Sequence, residues 1–180
     1  MRTIATTRKL DHARGAVRVE DVYDTGIDDL WEACTNPERL ARWIAQVEGD
    51  LREGGIVHTT FTSTASGASR IVQCEPPNHL LIASVPESPD QREDLDGDSE
   101  TEVWLTAEGG RTRLVVEERG LPADKLHFYC AGWQAHLEDL ATTLGSGKTA
   151  HPGGWSPQRP AAAFDTRFNE LIPVYEKAGV

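Results

Sequence analysis

Long apolar runs and an excess of positive charge are both missing from this chain. No stretch of about 18 or more consecutive apolar residues occurs, so no membrane-spanning helix is expected. The opening MRTIATTRKLDHARG carries basic residues without the continuous apolar core of a secretory signal, and a cytoplasmic location is expected. Lysine and arginine number 18 against 29 aspartate and glutamate, a net charge of −11. That balance argues against attachment to a phosphate backbone, which basic surface drives. Only three cysteines are present (Cys34, Cys74, Cys130), odd in number and widely spaced, which fits reduced thiols packed as small apolar groups rather than a disulfide framework. No nucleophile motif, dinucleotide fingerprint or basic-aromatic nucleic-acid surface occurs.

What the chain does contain is a succession of short elements ending in one long helix. Its 180 residues suit one domain, or one domain with an appendage. Residues 1–13 read as a lead-in, 14–146 as the domain, and 147–180 as a Gly/Pro linker and a last helix that packs on the domain or on a second subunit. Ala16–Tyr23 alternates as a strand, with Val17, Val19 and Asp21 on one face and an irregularity expected before Val22. A short helix follows Thr25-Gly26, with Asp28 and Asp29 complementing its N-terminus. Asn36 then caps a second helix whose first position is Pro37. Leu30, Trp31, Leu40 and Trp43 anchor the pair. Strands are expected over 47–51, 56–61, 70–75 and 79–85, and over 101–107 and 112–120. The last two are joined across Glu108-Gly-Gly-Arg111 as the clearest hairpin. The acidic segment 87–98 reads as a loop.

From about 123 to 144, Leu126, Cys130, Trp133, Leu137, Leu140 and Leu144 recur every three or four residues, so one helical stripe faces the sheet. Tyr129 and His136 fall together on one flank and His127 on the other. In the last helix Phe164, Phe168, Leu171, Ile172 and Tyr175 share a face, and Pro173 is expected to bend it.

The order of these motifs resembles the helix-grip (START-like, SRPBCC) superfamily, and within it the branch named for the activator of the heat-shock-protein ATPase, the AHSA type. The resemblance is carried by Leu30-Trp31, Pro37-Glu-Arg-Leu-Ala-Arg-Trp43, Glu53-Gly-Gly55, Glu75-Pro-Pro-Asn-His-Leu80, Gly110-Arg-Thr-Arg-Leu114 with Gly120-Leu121, and Gly132-Trp-Gln-Ala-His-Leu137. Ile44-Ala45, Ser84 and Glu118 stand where members often have other residues. The likeness implies an α+β fold, a curved antiparallel sheet around a long C-terminal helix, with an extra helix after it. It also implies an internal cavity for a small hydrophobic or amphipathic molecule. No cofactor, metal, nucleic acid or membrane partner is expected, and either a monomer or a homodimer fits.

Trp31, Trp43, Phe61, Arg70, Leu114, Val116, Glu118, Tyr129, Trp133 and His136 are the candidate ligand contacts. By strand alternation Glu118 shares the inner face with Leu114 and Val116, where a carboxyl group could hold a cationic or hydroxylated ligand or move a proton. The plainer alternative puts Glu118 at the rim beside Arg119. Arg70 is read as an anion anchor or as a surface residue. An enzyme reading, cyclase- or hydrolase-like, would join Glu118 with Tyr129 or His136. A third reading is a protein-interaction or chaperone-associated module.

Three other patterns fail on spacing. His127, Cys130 and His136 do not converge on a metal, because 127 and 136 lie on opposite sides of a helix. Gly145-Ser-Gly-Lys-Thr149 follows a helix instead of a strand and reads as a helix end, not a phosphate loop. The acidic run Asp94–Glu102 places its glycine too early, and Leu105 where a calcium loop needs its terminal glutamate.

Overall fold

Eight antiparallel strands and four helices make up the computed structural model, which describes residues 2–86 and 99–180. In chain order they are β1 (Ala5–Lys9), β2 (Arg14–Tyr23), α1 (Ile27–Thr35), α2 (Pro37–Leu40), β3 (Ala45–Gly49), β4 (Ile56–Phe61), β5 (Ser66–Glu75) and β6 (His79–Val85), then β7 (Glu100–Glu108), β8 (Arg111–Pro122), α3 (Leu126–Ser146) and α4 (Ala162–Lys177). The sheet runs β1-β2-β8-β7-β6-β5-β4-β3, and α3 lies against its inner face. This is the α+β helix-grip architecture. The acidic segment 87–98, and with it the calcium-loop test, lies outside the described residues.

Local chemistry explains most boundaries. The Asn36 side chain accepts from the backbone N–H groups of Glu38 and Arg39 at 2.9 and 3.3 Å, with Pro37 at the first helical position, so α2 starts where a cap and a fixed φ coincide. Gly109 and Gly110, both at positive φ, close the β7–β8 hairpin in a two-residue turn with Glu108 opposite Arg111. At the end of α3, Gly147 is left-handed and its N–H bonds the Thr143 carbonyl.

Two expectations are corrected here. Residues 1–13 are not a loose lead-in: Ala5–Lys9 pairs with β2 from Ala5↔Val19 to Lys9↔Gly15. The irregularity in β2 is not before Val22 but between Gly15 and Ala16, opposite Gly120 of β8. Gly120 takes φ 85°, so the extra residue of a bulge fits there without a Cβ clash. From Ala16 onward the pairing of β2 is unbroken, and Tyr23 points inward with its hydroxyl donating to the Leu137 carbonyl at 3.1 Å.

The core lies between sheet and α3: Val17 and Val19 of β2, Leu105 of β7, and Leu114 and Val116 of β8 meet Leu126, Cys130, Leu137 and Leu140. α4 packs in cis on α3. Leu171 and Tyr175 are fully buried, and Arg167 forks onto Glu138 at 2.6 and 2.9 Å. The Tyr175 hydroxyl donates to Gln134 and accepts from the N–H groups of Ile4 and Ala5, tying α4, α3 and β1 together. Pro173 lies within α4, which runs unbroken from Ala162 to Lys177. The intervening linker is pinned as well: Trp155 donates to the Ala41 carbonyl, Ala150 to that of Arg42 and Ala161 to that of Thr62. No helix among the described residues is long and apolar enough to cross a membrane.

Candidate functional site

A pocket of about 760 Å³ opens between the sheet and the two long helices. Its floor is the inner face of β4 to β8, through Val57, Ile71, Ile82, Val103, Leu114 and Val116. α1 and the segment after α2 add Cys34, Thr35, Trp43 and Ile44; α3 adds Tyr129, Gly132, Trp133 and His136; α4 adds Phe164, Asp165 and Phe168. Leu51 and Phe128 also line it and are 44% and 40% exposed, so they mark its mouth.

β5 carries a bulge at Val72, where Ile71 pairs with Ile82 and Gln73 with Leu81. The extra residue brings both Ile71 and Cys74 to the inner side. In β8 no such break occurs before Gly120, so Leu114, Val116 and Glu118 point in together. Glu118 therefore reaches the pocket, and the indole N–H of Trp133 donates to its Oε2 at 2.6 Å. Arg119, the alternative partner, faces the other side of the sheet and binds Glu102, Glu117 and Glu100.

Eight of the ten sequence-selected contacts line the pocket: Trp43, Phe61, Leu114, Val116, Glu118, Tyr129, Trp133 and His136. Two do not. Trp31 is buried in the core, and it is Cys34 and Thr35, one turn further along α1, that reach the wall. Arg70 is exposed on the outer face and donates to the Gly54 carbonyl at 2.9 Å, while its neighbours Ser69 and Ile71 turn inward. His127 also stands away from the pocket, 3.7 Å from Glu176 of α4.

His136 is the centre of an aromatic wall. Its ring stacks on Phe164 at 4.4 Å, and Phe61 and Trp133 lie 6.2 Å away on other sides. Burial, and next the nearby His151, push its pKa down to about 3 against an opposing contact with the Trp43 carbonyl. The ring is neutral at physiological pH. Behind it sits a group of polar side chains that sequence reasoning missed. His151, only 3% exposed, lies 3.3 Å from the Asp139 carboxyl group without hydrogen-bond alignment. Burial raises Asp139 to about 7, helped by Glu138, and burial lowers His151. Both shifts favour the uncharged forms and work against an ion pair. A histidine in a Gly/Pro linker carries no periodic signal that would announce such burial. Phe164 and Phe168, by contrast, were legible as an apolar face without a known partner.

Among the described residues no group of three His, Cys, Asp or Glu is placed to hold a metal.

The model of the family described as "Activator of Hsp90 ATPase homolog 1-like protein" matches residues 24–145. No curated protein matches the chain. Among solved structures, the crystal structure of CalU16 from Micromonospora echinospora is similar over 97% of this chain and 98% of its own, at 26% identity and TM-score 0.65. DynU16, described as a protein in the dynemicin biosynthetic locus, matches at 24% identity and TM-score 0.65, over 75% of this chain and 49% of that one. The Aha1 dimer from Colwellia psychrerythraea shares the fold at 13% identity and TM-score 0.63, over 74% of this chain and 98% of its own. With a family model spanning well over half its length and the helix-grip architecture in place, the chain belongs to the family of proteins like the activator of Hsp90 ATPase homolog 1.

Proposed function

We propose that this protein binds a small hydrophobic or amphipathic molecule in the pocket between sheet and helices. The observation that carries the reading is the pocket itself. Its volume falls in the range of small-molecule sites, and its lining is mostly apolar with a few polar groups, chiefly Glu118 and several serines and threonines. DynU16, which shares the fold, is described by its biosynthetic locus, and a role beside small-molecule metabolism agrees with that.

An acid–base enzyme draws less support. For the pairing of Glu118 with His136, Trp133 donates to Glu118 and lies edge-on to His136, and His136 is too weak a base near neutral pH to accept a proton readily. The chaperone-associated reading has the family description behind it, but fold alone does not assign a partner.

Purified protein incubated with a cell extract, re-isolated and examined by native mass spectrometry should carry a bound molecule. Ile82→Trp, which projects an indole into the pocket from β6, should abolish the adduct while leaving the circular dichroism spectrum unchanged. An adduct retained at full occupancy in that variant would place the molecule elsewhere and refute the proposal.

A further inference from the structure

We infer that the pocket selects amphiphiles bearing a cationic or strongly hydrogen-bond-donating head group, an alkylammonium above all, and that Glu118 is the residue that reads it. The inference rests on the pocket being a ligand site and goes one step further, to the chemistry of the ligand.

Charge in the lining is one-sided. Glu118 and Asp165 are its acidic side chains, and no lysine or arginine lines it among the described residues. An anionic head group would bring like charge into a weakly polar enclosure and find no guanidinium or ammonium to meet it. A donor head group finds an acceptor already in place. Glu118 lies on the same inner face as Leu114 and Val116, so an alkyl chain along these aliphatic side chains carries its head group to the carboxyl group.

Orientation comes from Trp133. The indole N–H is a donor only, and its 2.6 Å bond to Oε2 holds the Glu118 side chain toward α3. A carboxyl group has more acceptor positions than the indole bond occupies. A charge-assisted hydrogen bond in such surroundings is stronger than a neutral one, which is what separates an ammonium from an alcohol of equal chain length. Asp165, from α4, also lines the pocket and contributes to its general field, without a hydrogen bond to Trp133.

The test uses the intact chain and the uncharged fluorophore N-phenyl-1-naphthylamine, displaced by decylammonium, decanol or decanoate at pH 7 and low salt. Decylammonium should displace the probe at a concentration at least about tenfold lower than decanoate, with decanol between them. Glu118→Gln should bring decylammonium to within about threefold of decanol, and binding of the fluorophore itself reports an intact pocket. Asp165→Asn should keep most of the preference. Equal displacement by all three head groups, or a preference that survives Glu118→Gln or vanishes in Asp165→Asn, would overturn this inference alone. Failure of the fluorophore and of all three chains to bind would take the pocket reading down with it.

Discussion

Replacing Asp139 with asparagine should make the protein lose stability more steeply as pH falls from 7 to 5, because the buried group behind the pocket holds titrating partners whose effects oppose one another. The Asp139 carboxyl group is raised from 3.8 to about 7 on folding, mainly by burial and then by Glu138. A group raised in this way stabilises the fold below its unfolded pKa and loses that contribution as pH climbs through its folded pKa. His136 is displaced the other way, from 6.5 to about 3, by burial first and by His151 second. The stability tied to its neutral form is fully present above 6.5 and is lost as pH falls from there toward 3. His151 is lowered too and acts in the same direction as His136. Between pH 7 and pH 5 the unfolded chain therefore protonates its histidines while the folded chain protonates Asp139. The histidines take stability away over this interval and Asp139 adds it.

Asparagine removes one side of that balance. The contribution that Asp139 adds on going from pH 7 to pH 5 is about 2 kcal/mol, since each pH step across which the folded chain alone holds the proton is worth a little over 1 kcal/mol. The variant should therefore fall behind the parent by about that much more at pH 5 than at pH 7. Carboxylates lowered by their partners, such as Glu102, Glu117 and Glu138, titrate below this window and are common to both proteins, so they cancel in the difference. Urea unfolding of both proteins at pH 7, 6 and 5, read as midpoints at constant slope, measures it. A difference that stays flat across the three pH values, or shrinks as pH falls, would show that Asp139 is ionised in the folded state and refute the reasoning.

Tyr175→Phe should cost about 1–3 kcal/mol in the same assay, since it leaves the Gln134 side-chain oxygen and the Ile4 and Ala5 N–H groups without the hydroxyl they share; an unchanged midpoint would mean that water replaces it at no cost. Cys130, fully buried with its thiol pushed up to about 12, should resist alkylation by iodoacetamide at pH 8 in the native protein and react on unfolding, followed by peptide mass spectrometry. Modification of Cys130 at the rate of a free thiol would show that α3 leaves its place.

How much of this was readable beforehand differs from element to element for physical reasons. α3 was legible because a helix packed on a sheet needs one continuous apolar stripe, and Leu126 to Leu144 supply it. The β7–β8 hairpin was legible because Gly109-Gly110 leaves little choice of turn. β1 was hidden because ATTRK is an edge strand held by backbone pairing, and a mostly polar strand leaves little hydrophobic alternation to read. Gly120 concealed the bulge of β8 opposite β2: one extra residue shifts the register, and no local pattern says which glycine will take it. Trp31 was misplaced for a related reason, while Arg70 takes the surface place that was one of its two readings. Chain position assigns a residue to an element, but which side of that element meets the hollow interior depends on the register of its neighbours.

Pocket and scaffold are also divided differently along the chain. The family match ends at residue 145, yet Phe164, Asp165 and Phe168 of the later α4 complete the wall that begins with Trp133 and His136. That wall is anchored by the Arg167–Glu138 fork, which is partly exposed, and by Tyr175, which is not. An exposed ion pair contributes little to stability, whereas a buried hydroxyl shared by three partners fixes a position. The placement of α4, and so the shape of the pocket, rests more on Tyr175 and the stack of Phe164 on His136 than on the charged pair. The neutral form of His136 is then part of the same construction: a charged imidazole would need water or a counterion at the very surface where Phe164 lies flat against it.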